Sequence, residues 1–195
     1  VGRAQSGIEI RIGDADRPCV AGTAGEVLVR GPTVMRGYWN NPDATAATLR
    51  GGWLHTGDVG VLDAAGFLTL KDRSKDLVIS GGSNVYPREV EEVLLTHPAV
   101  AEAAVLGVPD AKWGEIGVAV VVRRAGLACD AAALLAHLEG RCARYRWPRH
   151  VFFWDALPKS AYGKITKKDV RERLFARGEL WESTDLGKTR ESASA

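Results

Sequence analysis

The chain has 195 residues, 46% hydrophobic and 26% charged, enough for one large domain or two small ones with a real core. Its 26 basic and 24 acidic residues leave a net charge of +2, too even to argue for a nucleic-acid partner or an anionic membrane surface, so any anion site must be local. Three cysteines at positions 19, 129 and 142, with no C-x-x-C pair, support neither a disulfide framework nor a zinc site and point to a reducing cytoplasm. Purely apolar runs such as VAVVV at 118–122 are strand-sized, far below the ~20 residues of a membrane helix. No secretory signal is visible, and a chain that begins at Val1, already approaching a strand, reads as a piece of a longer protein.

Up to about Leu70 the pattern predicts β-structure. IEIRI (8–12) and EVLVR (26–30) alternate with period two and are bounded by Gly7, Gly25 and Gly31-Pro32. NPDATAATL (41–49) predicts one short helix with Pro42 in its first turn. VGVLDAAGFLTL (59–70) predicts a hairpin, with Asp63 opening the turn and Gly66 in the left-handed position of a bulged loop. After Ser74, strands and helices alternate. LVIS is a strand, and PREVEEVLLTH a helix with Pro87 at its start and Val90, Val93 and Leu94 on one face. EAAVLGV and GVAVVV are strands flanking the loop PDAKWGEI. Asp130 caps a helix whose stripe holds Leu134, Leu135, Leu138 and Cys142. HVFFW is a strand, and Thr166 with Asp169 resembles a capping box for a helix that carries Val170 and Leu174 and stops at Gly178. From Glu179 the chain is polar and Ser/Thr-rich, which predicts disorder. The fold class is α+β, with a domain boundary inside KDRSKD (71–76), a stretch too polar for a core segment.

Three short motifs could carry chemistry. In HTGD (55–58), an aspartate after glycine at a strand entrance can accept hydrogen bonds from vicinal hydroxyls. An aspartate at a turn more often bonds its own backbone, and His55 beside it reads as a surface residue. In ISGGSNVYP (79–87), two glycines after a strand let another molecule approach the backbone, or simply make a tight turn. The third glycine of a dinucleotide fingerprint is absent. In LPKSAYGKI (157–165), Pro158 and Gly163 mark an exposed loop with a lysine at its tip; it is no P-loop, because Ile165 stands where Ser or Thr would bind magnesium. Taken alone, a loop lysine is usually solvated, and Trp113 in KWGE is more often half-buried packing than a ligand wall.

Together the motifs say more. WLHTGD, DRSKDLVISGGSNVYPREVE, GVPDAKWGE and LPKSAYGKI occur in an order and with spacings that resemble the C-terminal part of the acyl-adenylate-forming family. That family includes acyl- and aryl-CoA synthetases, firefly luciferase and the adenylation domains of peptide synthetases. GEVLVRGPTVMRGYWNNPDAT also resembles the segment before the TGD motif, so the likeness extends from Gly2 to about Arg177.

The resemblance implies a ligase that joins a carboxylic acid to ATP as an acyl-adenylate, releases pyrophosphate, and passes the acyl group to CoA. Residues 1–72 would be the end of a distorted β-barrel subdomain, 73–178 a small mobile α+β C-terminal domain, and 179–195 a disordered tail. Asp58 would hold the ribose hydroxyls, Arg73 would contact the nucleotide and Lys164 would serve adenylation. Lys75 would be the hinge of a swing between the two half-reactions, Gly81, Gly82 and Trp113 the pantetheine tunnel, and Arg146 and Arg149 contacts for the CoA phosphates. Trp147 departs from relatives that carry a basic residue near those phosphates. ATP or AMP and CoA are the expected small-molecule partners, with Mg²⁺ expected in the whole enzyme, no metal ligands in this chain, no nucleic acid and oligomerisation left open. The fragment alone is expected to be inactive. An adenylation domain that loads a carrier protein, and a non-catalytic module of the same fold, are the alternatives.

Overall fold

Alternating apolar residues build two separate sheets in a computed structural model that describes residues 2–180. The chain divides into two compact units between Lys75 and Asp76. The first unit contains β1 (Glu9–Ile12), β2 (Ala24–Arg30), the short helix α1 (Pro42–Thr48), β3 (Leu49–Arg50), β4 (Trp53–Leu62) and β5 (Leu68–Arg73). Every pairing in its sheet is antiparallel: β1 lies on β2, β2 on one edge of β4, and β3 then β5 along the other edge of β4. Inward-facing Ile12, Val27 and Leu68 form its small core, flanked by Ile10, Val29, Leu62 and Leu70. The expected barrel end is thus an open five-stranded sheet, with no closed barrel among the described residues. The β4–β5 turn forms as the sequence predicts: Asp63 Oδ1 accepts from the Ala65 and Phe67 amides, and Gly66 has φ +81°. Asn41 caps α1 through a 3.0 Å bond from the Ala44 amide, with Pro42 in the first turn.

The ladder between β2 and β4 is interrupted where it matters. Glu26 faces Val59 and Leu28 faces His55, so Thr56, Gly57 and Asp58 stand opposite Val27 alone. This is a bulge. Gly57 takes φ +70° within it, and the Thr56 hydroxyl donates to the Val27 carbonyl at 2.8 Å. Bulges bend a strand and re-aim its side chains.

In the second unit come β6 (Val78–Ser80), β7 (Ser83–Val85), α2 (Pro87–Leu95), β8 (Val100–Asp110), β9 (Gly114–Arg123), α3 (Ala131–Leu138), β10 (His150–Trp154) and α4 (Lys167–Ala176). β8 runs antiparallel along one edge of β9. β10 runs parallel along the other edge, after a crossover through α3. β6 continues that edge through the Ser80–Gly114 pair and carries β7 beyond it.

The run VAVVV serves two cores at once. Ala119 and Val121 pack with Val90, Leu94, Leu134 and Leu138 of α2 and α3. Val118, Val120 and Val122 pack with Val170 and Leu174 of α4 on the opposite face. A strand covered by helices on both sides loses the polar half of its alternation.

The structure departs from the sequence pattern at several points. β8 and β9 run on through most of PDAKWGEI, leaving a three-residue turn at 111–113. Thr166 makes no side-chain capping bond; the start of α4 is fixed instead by the Thr166 amide on the Pro158 carbonyl and by Lys167 Nζ 2.9 Å from Glu91 Oε1. Cys142 falls beyond α3, though it still packs against the α2–α3 core. Glu179 and Leu180 are ordered: the Trp154 indole N–H donates to Glu179 Oε2 at 2.9 Å, and Leu180 packs on the α4 core. The rest of the expected tail, 181–195, lies outside the described residues.

Candidate functional site

In the first unit, the bulge turns Asp58 toward β5, where it faces Arg73 across the ladder. Arg73 Nε lies 2.7 Å from Asp58 Oδ1, and Asp58 keeps 28% of its side-chain surface exposed. The carboxylate is therefore ion-paired rather than bonded to its own turn, with one edge open to solvent. The Ser74 hydroxyl donates to the Gly57 carbonyl at 3.1 Å, closing the same corner.

Behind the bulge stands Glu26, which sequence reasoning missed. Its Oε1 accepts from the Gly57 amide at 3.1 Å, and its Oε2 lies 2.9 Å from His55 Nδ1. The His55 side chain is only 12% exposed, so its reading as a surface residue is corrected: it braces Glu26. Lys75 is exposed in a single 3-10 turn, Ser74–Asp76, beside the division between the two units.

In the second unit, the loop from Leu157 to Ile165 is anchored at both ends. Leu157 is buried, and Ile165 packs on the α4 core. Lys159 pairs with Ile165 in a short antiparallel bridge. The Ser160 amide donates to the Lys164 carbonyl at 2.8 Å, the Gly163 amide donates to the Ser160 carbonyl at 2.9 Å, and Gly163 adopts φ +76°. Lys159 Nζ is held by Glu102 at 2.9 Å. Lys164, at the tip, is exposed and its ammonium has no ion-pair partner among the described residues. Tyr162 beside it is 92% exposed. The result is a firmly held backbone presenting an exposed cation.

A groove of about 500 Å³ opens elsewhere in this unit, lined among others by Gly81, Trp113, Arg144, Tyr145, Arg146 and Arg149. Gly81 has φ +55°, and its amide donates to the Trp113 carbonyl at 2.9 Å. A β-carbon there would lie 2.7 Å from Trp113 Cε3. Gly82 has φ +78° but open space around it, and it does not line the groove. The two glycines, read alike in the sequence, are thus distinct. The Trp113 indole lies near two cations, with Lys112 Nζ 5.2 Å and the Arg149 guanidinium 5.5 Å from the ring centroid.

Arg146 reaches the groove but is committed inward, ion-paired to Glu89 and donating to the Tyr145 hydroxyl at 2.9 Å. Burial lowers its pKa, while Tyr145 and Glu89 hold the guanidinium charged and carry the net shift upward. Arg144, absent from the sequence expectations, lines the groove as well, its guanidinium 5.6 Å from the Trp147 ring. Trp147 is a packing residue: its indole donates to the Cys142 carbonyl at 3.0 Å and its ring lies against the α2–α3 core.

A two-sided α/β layer carrying an anchored loop lysine follows, in the chain, an antiparallel sheet whose bulge holds the Asp58–Arg73 pair, the arrangement expected of the C-terminal part of an adenylate-forming enzyme. Residues 89–164 match the family model of the AMP-binding enzyme C-terminal domain. The chain is 48% identical over 184 residues to indoleacetate–CoA ligase of Aromatoleum aromaticum, covering 94% of this chain and 36% of that protein. It is 50% identical over 162 residues to a feruloyl-CoA synthase of an Amycolatopsis species, covering 83% and 33%. The solved structure of o-succinylbenzoate CoA synthetase from Bacillus subtilis, in complex with its acyl-adenylate intermediate, superposes with a TM-score of 0.80 at 43% identity over 85% of this chain and 34% of that one. The chain belongs to the acyl-adenylate-forming superfamily and matches the C-terminal portion of its members. It spans about a third of the length of the curated relatives it matches.

Proposed function

We propose that this chain is the C-terminal portion of an AMP-forming acid–CoA ligase, and that its two units take part in two successive half-reactions. The observation that carries the reading is the exposed Lys164 ammonium, without an ion-pair partner among the described residues, on a loop whose backbone is anchored at both ends. In the first half-reaction a carboxylate oxygen attacks the α-phosphorus of ATP, the bond to the β-phosphate oxygen breaks, and pyrophosphate leaves. Two anions must meet for that attack. A fixed cation between them offsets the repulsion and stabilises charge that grows on the phosphoryl oxygens. Asp58, oriented by Arg73, accepts hydrogen bonds from the ribose hydroxyls through its open edge. Among the described residues no three His, Cys, Asp or Glu side chains gather as a metal site, and the reading leaves Mg²⁺ to the phosphates of ATP.

In the second half-reaction the CoA thiol sulfur attacks the acyl carbon, its proton passes to solvent, and AMP departs with the bonding pair of the anhydride. Gly81 and Trp113 form the slot for the pantetheine arm, and Arg144 and Arg149 face the CoA phosphates in place of Arg146, which Glu89 neutralises. The swing between half-reactions pivots at Lys75, whose exposed side chain stays solvated as its torsions change. An aromatic acid is the proposed substrate class, supported by the names of the relatives given above. Free thiols at Cys19, Cys129 and Cys142 accord with a cytoplasmic location.

The test is pyrophosphate exchange by the full-length protein with a panel of aromatic and fatty acids, followed by CoA addition. Acid-dependent exchange, then stoichiometric AMP and acyl-CoA, is expected. Release of ADP and phosphate without exchange would refute the reading.

A further inference from the structure

We propose that Asp110 is a positioning residue for the thiol groove and acts through Trp113, an inference that rests on the reading above. Asp110 ends β8 and pairs with Gly114 across the hairpin. Its Oδ1 accepts two backbone amides, Lys112 at 2.9 Å and Trp113 at 2.8 Å. Two amides held by one side-chain oxygen leave the three-residue turn little freedom.

The partner on the other side of Trp113 makes this arrangement more than a common side-chain turn. The Trp113 carbonyl takes the Gly81 amide at 2.9 Å. Close by, the Ile79 amide donates to Glu115 Oε2 at 2.9 Å. The β6–β7 turn and the β8–β9 turn are therefore tied together with Trp113 between them, its N–H fixed by Asp110 and its C=O by Gly81. These bonds set the height of the indole above Gly81, where 2.7 Å separates the ring from the site of an added β-carbon. The ring rests against Gly81, and its position sets one wall of the proposed slot.

The experiment compares Asp110→Ala, Asp110→Asn, Asp110→Glu, Trp113→Ala and the Asp110→Ala/Trp113→Ala double variant in the full-length protein. Asn keeps the Oδ1 acceptor and loses the charge; Glu keeps the charge and displaces the acceptor by a methylene. For Asp110→Ala the kcat/KM for CoA should fall by about tenfold to a hundredfold, the range expected when a binding wall is misplaced, while pyrophosphate exchange stays within about twofold. Asp110→Asn should behave as wild type, Asp110→Glu as the alanine variant, and the double variant no worse than Trp113→Ala alone. Hydrogen exchange at the amides of 112 and 113 should quicken in Asp110→Ala and stay slow in Asp110→Asn.

Wild-type CoA kinetics in a folded Asp110→Ala protein, a parallel fall in exchange, or multiplicative effects in the double variant would overturn the proposal. If Asp110→Ala fails to fold, Asp110→Glu carries the comparison, and wild-type CoA kinetics in it overturn the proposal equally. Absence of acid-dependent exchange in the wild type would instead strike the ligase reading, while the amide measurement still judges the Asp110–Trp113 link.

Discussion

Placing one methyl group on each of two neighbouring glycines separates groove geometry from backbone strain. Gly81 and Gly82 have φ values of +55° and +78°, so alanine at either position costs about 1–2 kcal/mol of stability for its left-handed backbone. At Gly82 nothing lies within 4 Å of the added carbon, and the cost ends there. At Gly81 the carbon meets Trp113 Cε3 at 2.7 Å, and carbon pairs rest at about 3.5 Å or more, so the indole must retreat by roughly 0.8 Å. A displacement of that size in a binding wall can cost up to about a hundredfold in rate. Urea denaturation measures the shared backbone cost. Stopped assays of the full-length protein measure pyrophosphate exchange and acyl-CoA formation separately. Gly81→Ala should depress acyl-CoA formation by at least about tenfold while sparing exchange, and Gly82→Ala should depress neither beyond its effect on stability. Equal loss of acyl-CoA formation in the two variants would refute the assignment of the slot to Gly81 and Trp113.

Two further predictions concern stability. Leu174 is fully buried between α4 and the sheet, so Leu174→Ala should lower the unfolding free energy by about 2–5 kcal/mol, read from the urea midpoint. His137 has its pKa lowered from 6.5, first by burial and then by the nearby Arg141 and His97 charges; its Nε2 lies 2.8 Å from the Thr96 hydroxyl, near Glu89 and Glu92. The unfolded chain therefore takes up its proton at higher pH than the folded one, so this contribution is full above the ordinary imidazole pKa and lost as pH falls toward the folded value. His137→Gln should reduce the loss of stability between about pH 7 and pH 5, and an unchanged pH slope would refute the assignment.

Much of the architecture was legible because local patterns decide it. VAVVV is strand-sized and β-branched, and both its faces prove to be covered. Asp130 caps α3 and Asp63 organises its turn because each acts on amides two to four residues away. Contacts set by register were not legible. Nothing in GEVLVR distinguishes Glu26 from any outward-facing strand residue until the bulge brings the Gly57 amide and His55 onto it. Gly57 before Asp58 was the one available cue, and it is equally compatible with a turn. The sequence pairs Arg146 with Arg149 as phosphate contacts, yet Glu89, 57 residues earlier, claims Arg146, and Arg144 lines the groove as well. The Thr166–Asp169 capping box failed for a tertiary reason, since Glu91 and the Pro158 carbonyl already hold the start of α4.

The role proposed for the Lys164 ammonium lies in adenylation and not in thioester formation. The most direct measurement replaces it with alanine in the full-length protein and follows pyrophosphate exchange alongside acyl-CoA formation from a supplied acyl-adenylate. Exchange should fall by about 10²–10³, the usual loss for a preorganised charge-stabilising donor, while acyl transfer to CoA proceeds at the wild-type rate. Undiminished exchange in the Lys164→Ala protein would rule that role out.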